Sequence, residues 1–418
     1  MRVPFEVMKT SLIGLPFVVA LGGLAALACA AALVRRARRR IRWPVLAIAP
    51  VLTVASVAAA VNSYFAYLPD VGSVLGRRAL DQASSAQVVH RLALADQQRP
   101  AAPTRLHGMV ELARIPPTLS GFRARLAQVY LPPAYFTSPR PHLPVIELLH
   151  GTPGSPEDWT RAGHADVSAD RWATAHGGLG PIIVMPDPNG RWDADTECVD
   201  GTQGRAETYL AEDVPRWAIS ALDADPGRTS WAIAGSSEGG FCALDLAVRH
   251  RDRYATVVDL AGLDRATFAG GTARLLPDPA DLAAHDPRLV LRAERTGPPL
   301  AAWFAVGTAD GNVIRAVRSV AAAARATGIE VHLELIPNAH HTWRVFRHGF
   351  TDALPWTAAR LRLSATVDPL PPVHPLRQVA GRPKHHHRHH AHEVHPTRRR
   401  SAEGKAQAQT QTSTAASR

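Results

Sequence analysis

The run Gly235-Ser236-Ser237-Glu238-Gly239 lies between an apolar stretch, Trp231-Ala232-Ile233-Ala234, and a second one, Phe241-Cys242-Ala243-Leu244-Asp245-Leu246-Ala247-Val248. The first reads as a strand and the second as a helix. A sharp turn between them holds Ser237 under backbone strain at the end of a sheet strand, the arrangement of a nucleophile elbow. Small residues two before and two after the serine let strand and helix approach closely. The pentapeptide alone recurs by chance, and the strand before it and helix after it make it specific.

Around this elbow the pattern alternates. Strand-like runs cover Met109 to Ile115, Ala124 to Leu131, Val145 to His150, Ile182 to Met185, Thr229 to Ala234, Thr256 to Leu260, Ala301 to Val306 and Val331 to Ile336. Helical patterns fall between them, at Tyr209 to Leu222 and Val317 to Thr327, with a closing helix expected at roughly Trp356 to Leu363. Strands alternating with helices predict an α/β fold with a mostly parallel sheet flanked by helices.

The ends of the chain differ from its middle. From Ser11 to Val34 no residue is charged, a length sufficient to cross a hydrocarbon core of about 30 Å. A second apolar run, Pro44 to Val61, continues into Tyr64-Phe65-Ala66-Tyr67, aromatic residues suited to a membrane interface. Together they predict an N-terminal transmembrane helical hairpin, with spans at about 11–34 and 44–61. The arginines between Arg35 and Arg42 put the connecting loop in the cytoplasm and everything after Leu68 outside it. A cleaved export signal is the alternative for the first run, with Ala26-Leu27-Ala28-Cys29 as a poor cleavage site. Either way the soluble domain is exported.

The expected organisation is therefore a membrane hairpin in 1–70, a juxtamembrane spacer in 71–104, a catalytic domain in 105–364 and a tail in 365–418. The tail is rich in Pro, His, Arg, Gln, Ser and Thr, a composition that predicts disorder. Its tract His385-His386-His387-Arg388-His389-His390-Ala391-His392 offers imidazoles to a transition metal or is simply a solvated tail that charges with pH. The formal charge of +11 resides in these segments. Six arginines in the loop, with nine basic and three acidic residues in the tail, leave the remainder near −1. A nearly neutral middle gives no footprint for nucleic acid. Of the three cysteines, Cys29 falls in the first apolar run, and Cys198 and Cys242 are either bridged, as export permits, or separate.

A serine hydroxyl needs a histidine to take its proton, and the imidazolium needs an oriented acid. In this fold type the chain order is serine, acid, histidine. Asp310 follows the strand that ends Ala305-Val306-Gly307, and the pair His340 and His341 follows the last strand. From the residues alone either histidine qualifies. The oxyanion of the tetrahedral intermediate calls for two backbone N–H groups. One belongs to Glu238, and the turn Gly151-Thr152-Pro153-Gly154 supplies the other at Thr152, since Pro153 has none. Glu238, at a helix N-terminus, is expected to be charged and to repel anionic substrates. The segment Asp187 to Gly204, with Asn189 and Trp192, is the candidate cap over an acceptor site.

From about His107 to Leu363 the chain resembles the esterase family that includes S-formylglutathione hydrolase (esterase D) and the antigen 85 mycolyltransferases of actinobacteria. The resemblance rests on Val129-Tyr130-Leu131-Pro132-Pro133, on Leu149-His150-Gly151-Thr152-Pro153-Gly154 followed by Trp159, on Arg205-Ala206-Glu207-Thr208-Tyr209-Leu210, on the elbow, and on His341-Thr342-Trp343. It implies an α/β-hydrolase fold, a triad of Ser237, Asp310 and His341, and oxyanion donors at Thr152 and Glu238, with no metal or cofactor. His341 is chosen because the family's base is commonly followed by one residue and then tryptophan. The chain departs from the family at Glu238, where an uncharged residue is usual, and at His340, where glycine is usual. The expected function is a membrane-anchored extracytoplasmic serine esterase or acyltransferase acting on an ester or acyl lipid. The alternatives are a serine peptidase and a tethered, non-catalytic binding module.

Overall fold

The computed structural model describes residues 11–12, 15–37, 43–71, 106–268, 271–293 and 297–363. The centre of the arginine-rich loop, the spacer and the tail, and the expectations attached to them, lie outside these residues.

Eight strands form one twisted sheet in the order β1-β2-β4-β3-β7-β8-β9-β10. They are β1 (Met109–Ala113), β2 (Ala127–Leu131), β3 (Val145–Leu149), β4 (Ile182–Met185), β7 (Trp231–Ser236), β8 (Thr256–Leu260), β9 (Ala301–Gly307) and β10 (Glu330–Ile336). A separate two-stranded hairpin joins β5 (Asp200–Gly201) to β6 (Gly204–Arg205). β1 and β2 pair antiparallel, as do β2 and β4, while the six strands from β4 to β10 are parallel. The central strands are buried along their whole length, which is why β4 and β7 read as mainly apolar runs rather than alternating ones, while β3 and β8 each enclose one buried carboxyl, Glu147 and Asp259. This is an α/β-hydrolase fold. In an open parallel sheet the ligand site forms beyond the carboxyl ends of the strands, and the loops leaving β3, β7, β9 and β10 meet there.

Helices on both faces seal the core. The helix Glu238–Arg249 runs back from β7 with Phe241, Cys242, Leu244, Leu246 and Val248 buried. The final helix is longer than expected, Trp343–Arg360, and it starts two residues after His341. Pro355 sits inside this helix, tolerated because Phe346, Phe350, Ala353 and Leu354 form one buried stripe that holds it against the sheet. Gly349 lies on that stripe. A Cβ there would come within 2.8 Å of Ala305 Cβ and 2.9 Å of Leu260 Cδ2, so its glycine lets helix and sheet touch. The amphipathic stretch Tyr209 to Leu222 also differs from a plain helix, opening with a π-turn over Tyr209–Asp213 before Val214–Leu222.

The N-terminal segment forms two helices, Leu15–Ala37 and Trp43–Phe65, packed side by side. The second, over Ile48–Phe65 with mean hydropathy 1.6, is long and apolar enough to cross a membrane; the first carries a shorter apolar stretch, Pro16–Ala31. Their outer ends are stapled together. Leu12 N donates to Pro69 O (2.9 Å), Ser11 bridges Asp70, and Asn62 donates to the carbonyls of Leu12 (3.5 Å) and Leu68 (2.9 Å) while accepting from Leu68 N (2.7 Å).

Candidate active site

Ser237 sits between β7 and its helix at φ 57° and ψ −122°, a conformation few L-residues adopt. Its surroundings explain the glycines. A Cβ on Gly235 would collide with the backbone of Gly239, and one on Gly239 would come within 2.5 Å of the carbonyl oxygens of Leu149 and His150. One on Gly151 would lie 3.0 Å from Ser237 Cβ. Strand, helix and the turn after β3 thus close around the serine only because these positions are bare.

The histidine and acid arrive from the neighbouring strand ends. Because β9 and β10 are parallel partners, the loops leaving them emerge together, and backbone bonds lace them: Thr308 N to Ile336 O (2.9 Å) and Ala309 N to Ala339 O (2.9 Å). The result is a continuous line of hydrogen bonds. His341 Nδ1 meets Asp310 Oδ2 at 2.8 Å, and His341 Nε2 meets Ser237 Oγ at 2.8 Å. Asp310 is buried and His341 partly so. His340 points elsewhere, exposed and against the ring of Tyr64 at 5.8 Å. His341 itself packs edge-on to Phe346 (5.1 Å), which leads through Trp343 to Trp159.

Thr152 and Glu238 come together on the opposite side of Ser237. Glu238 is the first residue of its helix, so its N–H has no carbonyl a turn back to bond, and it faces the same opening as the turn at Gly151 and Thr152. Their side chains are bonded to each other: Thr152 Oγ1 contacts Glu238 Oε2, and Asn189 Nδ2 reaches both, at 2.8 and 2.9 Å. Asn189 is held in turn by Thr196, whose N and Oγ1 donate to Asn189 Oδ1 at 3.0 and 3.1 Å.

The expectation of a charged Glu238 is corrected here. Its carboxyl is buried, and burial together with the neighbouring Asp195 raises its pKa well above the ordinary carboxylate range. Glu238 Oε1 and Asp195 Oδ1 are both buried with no hydrogen-bond partner among the described residues, and burial first of all raises the pKa of each carboxyl. The helix dipole favours the anion by at most about 1–2 kcal/mol, too little to offset desolvation at this depth. Glu197 behind them, held by Thr267 N at 2.6 Å, is pushed up to about 7 by burial and then by Asp195.

Two further groups shape the site and were not legible as site residues. Arg125 donates to Asp187 from its backbone N (2.7 Å), Nε (2.8 Å) and Nη2 (2.7 Å), and to Gly154 O (2.9 Å). Burial works against the Asp187 charge, yet this fork and His150 hold the carboxyl far below its usual range. The fork ties the starts of the loops after β3 and β4 to β2, and so braces the turn that carries Thr152. The second group is the disulfide between Cys198 and Cys242, which joins the segment Asp187 to Gly204 to the nucleophile helix. That segment borders an open groove of ≈ 770 Å³ whose lining includes Phe122, Arg123, Asn189, Arg191 and Arg205.

Comparison with known proteins agrees with this fold. The family described as "Putative esterase" matches residues 123–357, more than half of the chain. An uncharacterised protein of Corynebacterium glutamicum is 29% identical over 252 residues, 58% of each chain, and the MPT51 antigen of Mycobacterium leprae is 27% identical over 130 residues, 31% of this chain and 40% of that one. The chain thus spans roughly half the length of these relatives. Among solved structures, an S-formylglutathione hydrolase from Agrobacterium tumefaciens superposes with a TM-score of 0.51 at 21% identity, covering 62% of this chain and 97% of that one. A ferulic acid esterase gives 0.50 at 18%, covering 60% and 97%. The family match is what identifies the chain: it belongs to the esterase family of the α/β-hydrolase fold that includes esterase D-like and antigen 85-like proteins.

Proposed function

We propose that this protein is a membrane-anchored serine esterase or acyltransferase whose catalytic domain faces away from the cytoplasm. Ser237 Oγ attacks the ester carbonyl carbon as His341 Nε2 takes its proton, and Asp310 keeps the ring oriented and stabilises the imidazolium. The N–H groups of Thr152 and Glu238 receive the oxyanion. Collapse expels the alcohol, which leaves with the proton from His341, and the acyl group remains on Ser237. Water or a second alcohol then attacks, giving its proton to His341, and Ser237 Oγ recovers it as the acid or new ester departs.

The observation that carries this reading is the unbroken line Asp310–His341–Ser237, two bonds of 2.8 Å ending on a strained serine. Family membership supports ester chemistry over the peptidase alternative. The disulfide and the loop arginines support an extracytoplasmic domain, since disulfides persist in oxidising compartments and basic loops stay inside. The groove beside Asn189, of mixed character and lined by three arginines, suits a hydroxylated acceptor and leaves transfer open beside hydrolysis.

A fluorophosphonate probe should label the purified full chain in detergent and fail to label Ser237→Ala. Equal labelling of the two would remove Ser237 as the nucleophile. Product analysis with simple esters and amides, with and without added alcohols, then separates hydrolase, transferase and peptidase.

A further inference from the structure

The exposed apolar surface of this chain is concentrated in one place. Of the sixteen large hydrophobic side chains exposed among the described residues, eleven lie between Val19 and Phe65, on the two N-terminal helices. In those helices the side chains with described burial are mostly exposed, with Ala25, Ala49 and Ala59 among the buried exceptions. A face of this length and character needs a cover, and an uncharged 18-residue helical stretch of mean hydropathy 1.6 fits a hydrocarbon core.

The far end of the second helix is in contact with the rim of the Ser237 site. After Phe65 the chain turns sharply at Ala66, which is buried with φ 54°, and Tyr67 is carried onto the catalytic domain. Tyr67 donates its hydroxyl to Asp158 Oδ1 at 2.5 Å and lays its ring against Trp343 at 6.2 Å. One turn earlier, Tyr64 meets His340, the residue before the base. Asp158 belongs to the loop after β3, accepting from Ser155 N at 2.8 Å, and the adjacent Gly154 N donates to the carbonyl of Trp192 (3.1 Å). Trp192 itself is 64% exposed. The rim therefore carries an interfacial aromatic pair on one side and an exposed tryptophan on another, the residue types that settle at headgroup depth.

We propose that the hairpin docks on the active-site rim and holds the mouth of the Ser237 site at the bilayer surface, so that the ester it takes is a lipid resident in that same membrane. This rests on the reading of Ser237 as the nucleophile. The occupant of the apolar helix face is the bilayer, and the docking contacts are those of Tyr64 and Tyr67. A spacer that merely tethered the domain would leave the mouth free to face solution. Instead, Asn62 closes the hairpin within a few residues of the docking tyrosines, leaving little slack between the membrane segment and the site.

The test uses the full chain reconstituted in phosphatidylcholine–phosphatidylglycerol vesicles, with a fluorogenic diacylglycerol placed either in the same vesicles or in separate ones. Hydrolysis in the same vesicles should be at least about tenfold faster, because membrane confinement raises the local concentration of substrate at the mouth. A water-soluble short-chain ester should be turned over equally in both arrangements. The variant Tyr64→Ala/Tyr67→Ala should lower the same-vesicle lipid rate about tenfold and leave the soluble-ester rate within about twofold. Tyr67→Phe, which keeps the ring on Trp343 but loses the Asp158 bond, should show the same split more weakly.

Equal rates from same and separate vesicles, or an unchanged lipid rate in the double variant, would overturn the proposal. So would recovery of the full chain as an aqueous dimer that does not float with vesicles, since the helices would then cover each other. Turnover of the soluble ester without any of the lipid refutes the docking idea alone. Loss of both activities together with absence of Ser237 labelling takes down the nucleophile as well.

Discussion

On one side of Ser237, His341 and Asp310 are joined to it by two hydrogen bonds of 2.8 Å, and the rings of Phe346, Trp343 and Trp159 pack behind them. On the other side, Thr152, Asn189 and Glu238 form a part-buried hydrogen-bonded knot, with the Asp195 carboxyl close enough to raise the pKa of Glu238. The base side is organised by apolar packing and by strand ends that emerge together. The oxyanion side is organised by hydrogen bonds between loops far apart in the chain. Apolar packing tolerates small changes, whereas a buried polar network with a missing partner leaves others unsatisfied at about 1–3 kcal/mol each. In stability the oxyanion side should therefore be the more sensitive to a lost partner, whereas in kcat the base side should be, because it carries the proton transfer.

The largest effect is expected on the base side. Asp310→Asn keeps shape and volume but offers His341 Nδ1 the wrong partner for an imidazolium, and kcat should fall about 10⁴-fold with KM little changed. A loss below about tenfold would mean that Asp310 does not orient the base. Next comes Asn189→Ala. It removes the donor shared by Thr152 and Glu238 and should lower kcat by about 10–100-fold, below the 10²–10³-fold of deleting an oxyanion donor outright. Fluorophosphonate labelling should slow in parallel, and the thermal midpoint should move by no more than a few degrees. An unchanged kcat would show that the two donors hold their places without the knot.

The same contrast explains what could be read from the chain in advance. β3, β4, β7 and β8 are buried from end to end and stand out as mainly apolar runs despite Glu147 and Asp259, and the elbow follows from steric necessity at Gly235 and Gly239. Asp310 was approachable because a strand places it. His340 and His341 could not be told apart by strand position, since both follow β10; resemblance chose His341, and the hydrogen bonds to Asp310 and Ser237 belong to that residue. Asp187, Asn189 and Asp195 fall in the segment read as a cap over the site, but the partners of Asp187 and Asn189, Arg125 among them, were opaque. Each is an ordinary polar residue at a loop or strand edge, and its meaning comes from partners 29 to 62 residues away. The sequence places the closing helix too late, near Trp356, because it is the tertiary burial of Phe346 and Phe350 that carries it from Trp343 through Pro355.

The smallest effect, and the one that discriminates most finely, is expected of Glu238→Gln. A charged Glu238 repelling anions would make this variant more active toward anionic esters. Burial, and then Asp195, raise the pKa of this carboxyl and favour its neutral form, which glutamine resembles, so activity at neutral pH should stay within about twofold for neutral and anionic esters alike. The difference should emerge on the alkaline side. The folded chain keeps on Glu238 a proton that the unfolded chain releases near the ordinary value of 4.5, so the stabilisation tied to it is whole below that value and declines as pH rises toward the raised one. Above it a second buried negative charge would face Asp195 and Glu197 and disturb Thr152. The wild type should accordingly lose stability and kcat as pH rises, and Glu238→Gln should show a flatter profile in both, read by thermal unfolding and by initial rates on a neutral ester. Glu197, pushed up to about 7, will contribute its own decline to both proteins and cancels in the comparison. Parallel profiles would mean that Glu238 carries no proton at neutral pH, and the oxyanion side would then differ from the base side only in its partners and not in its charge state.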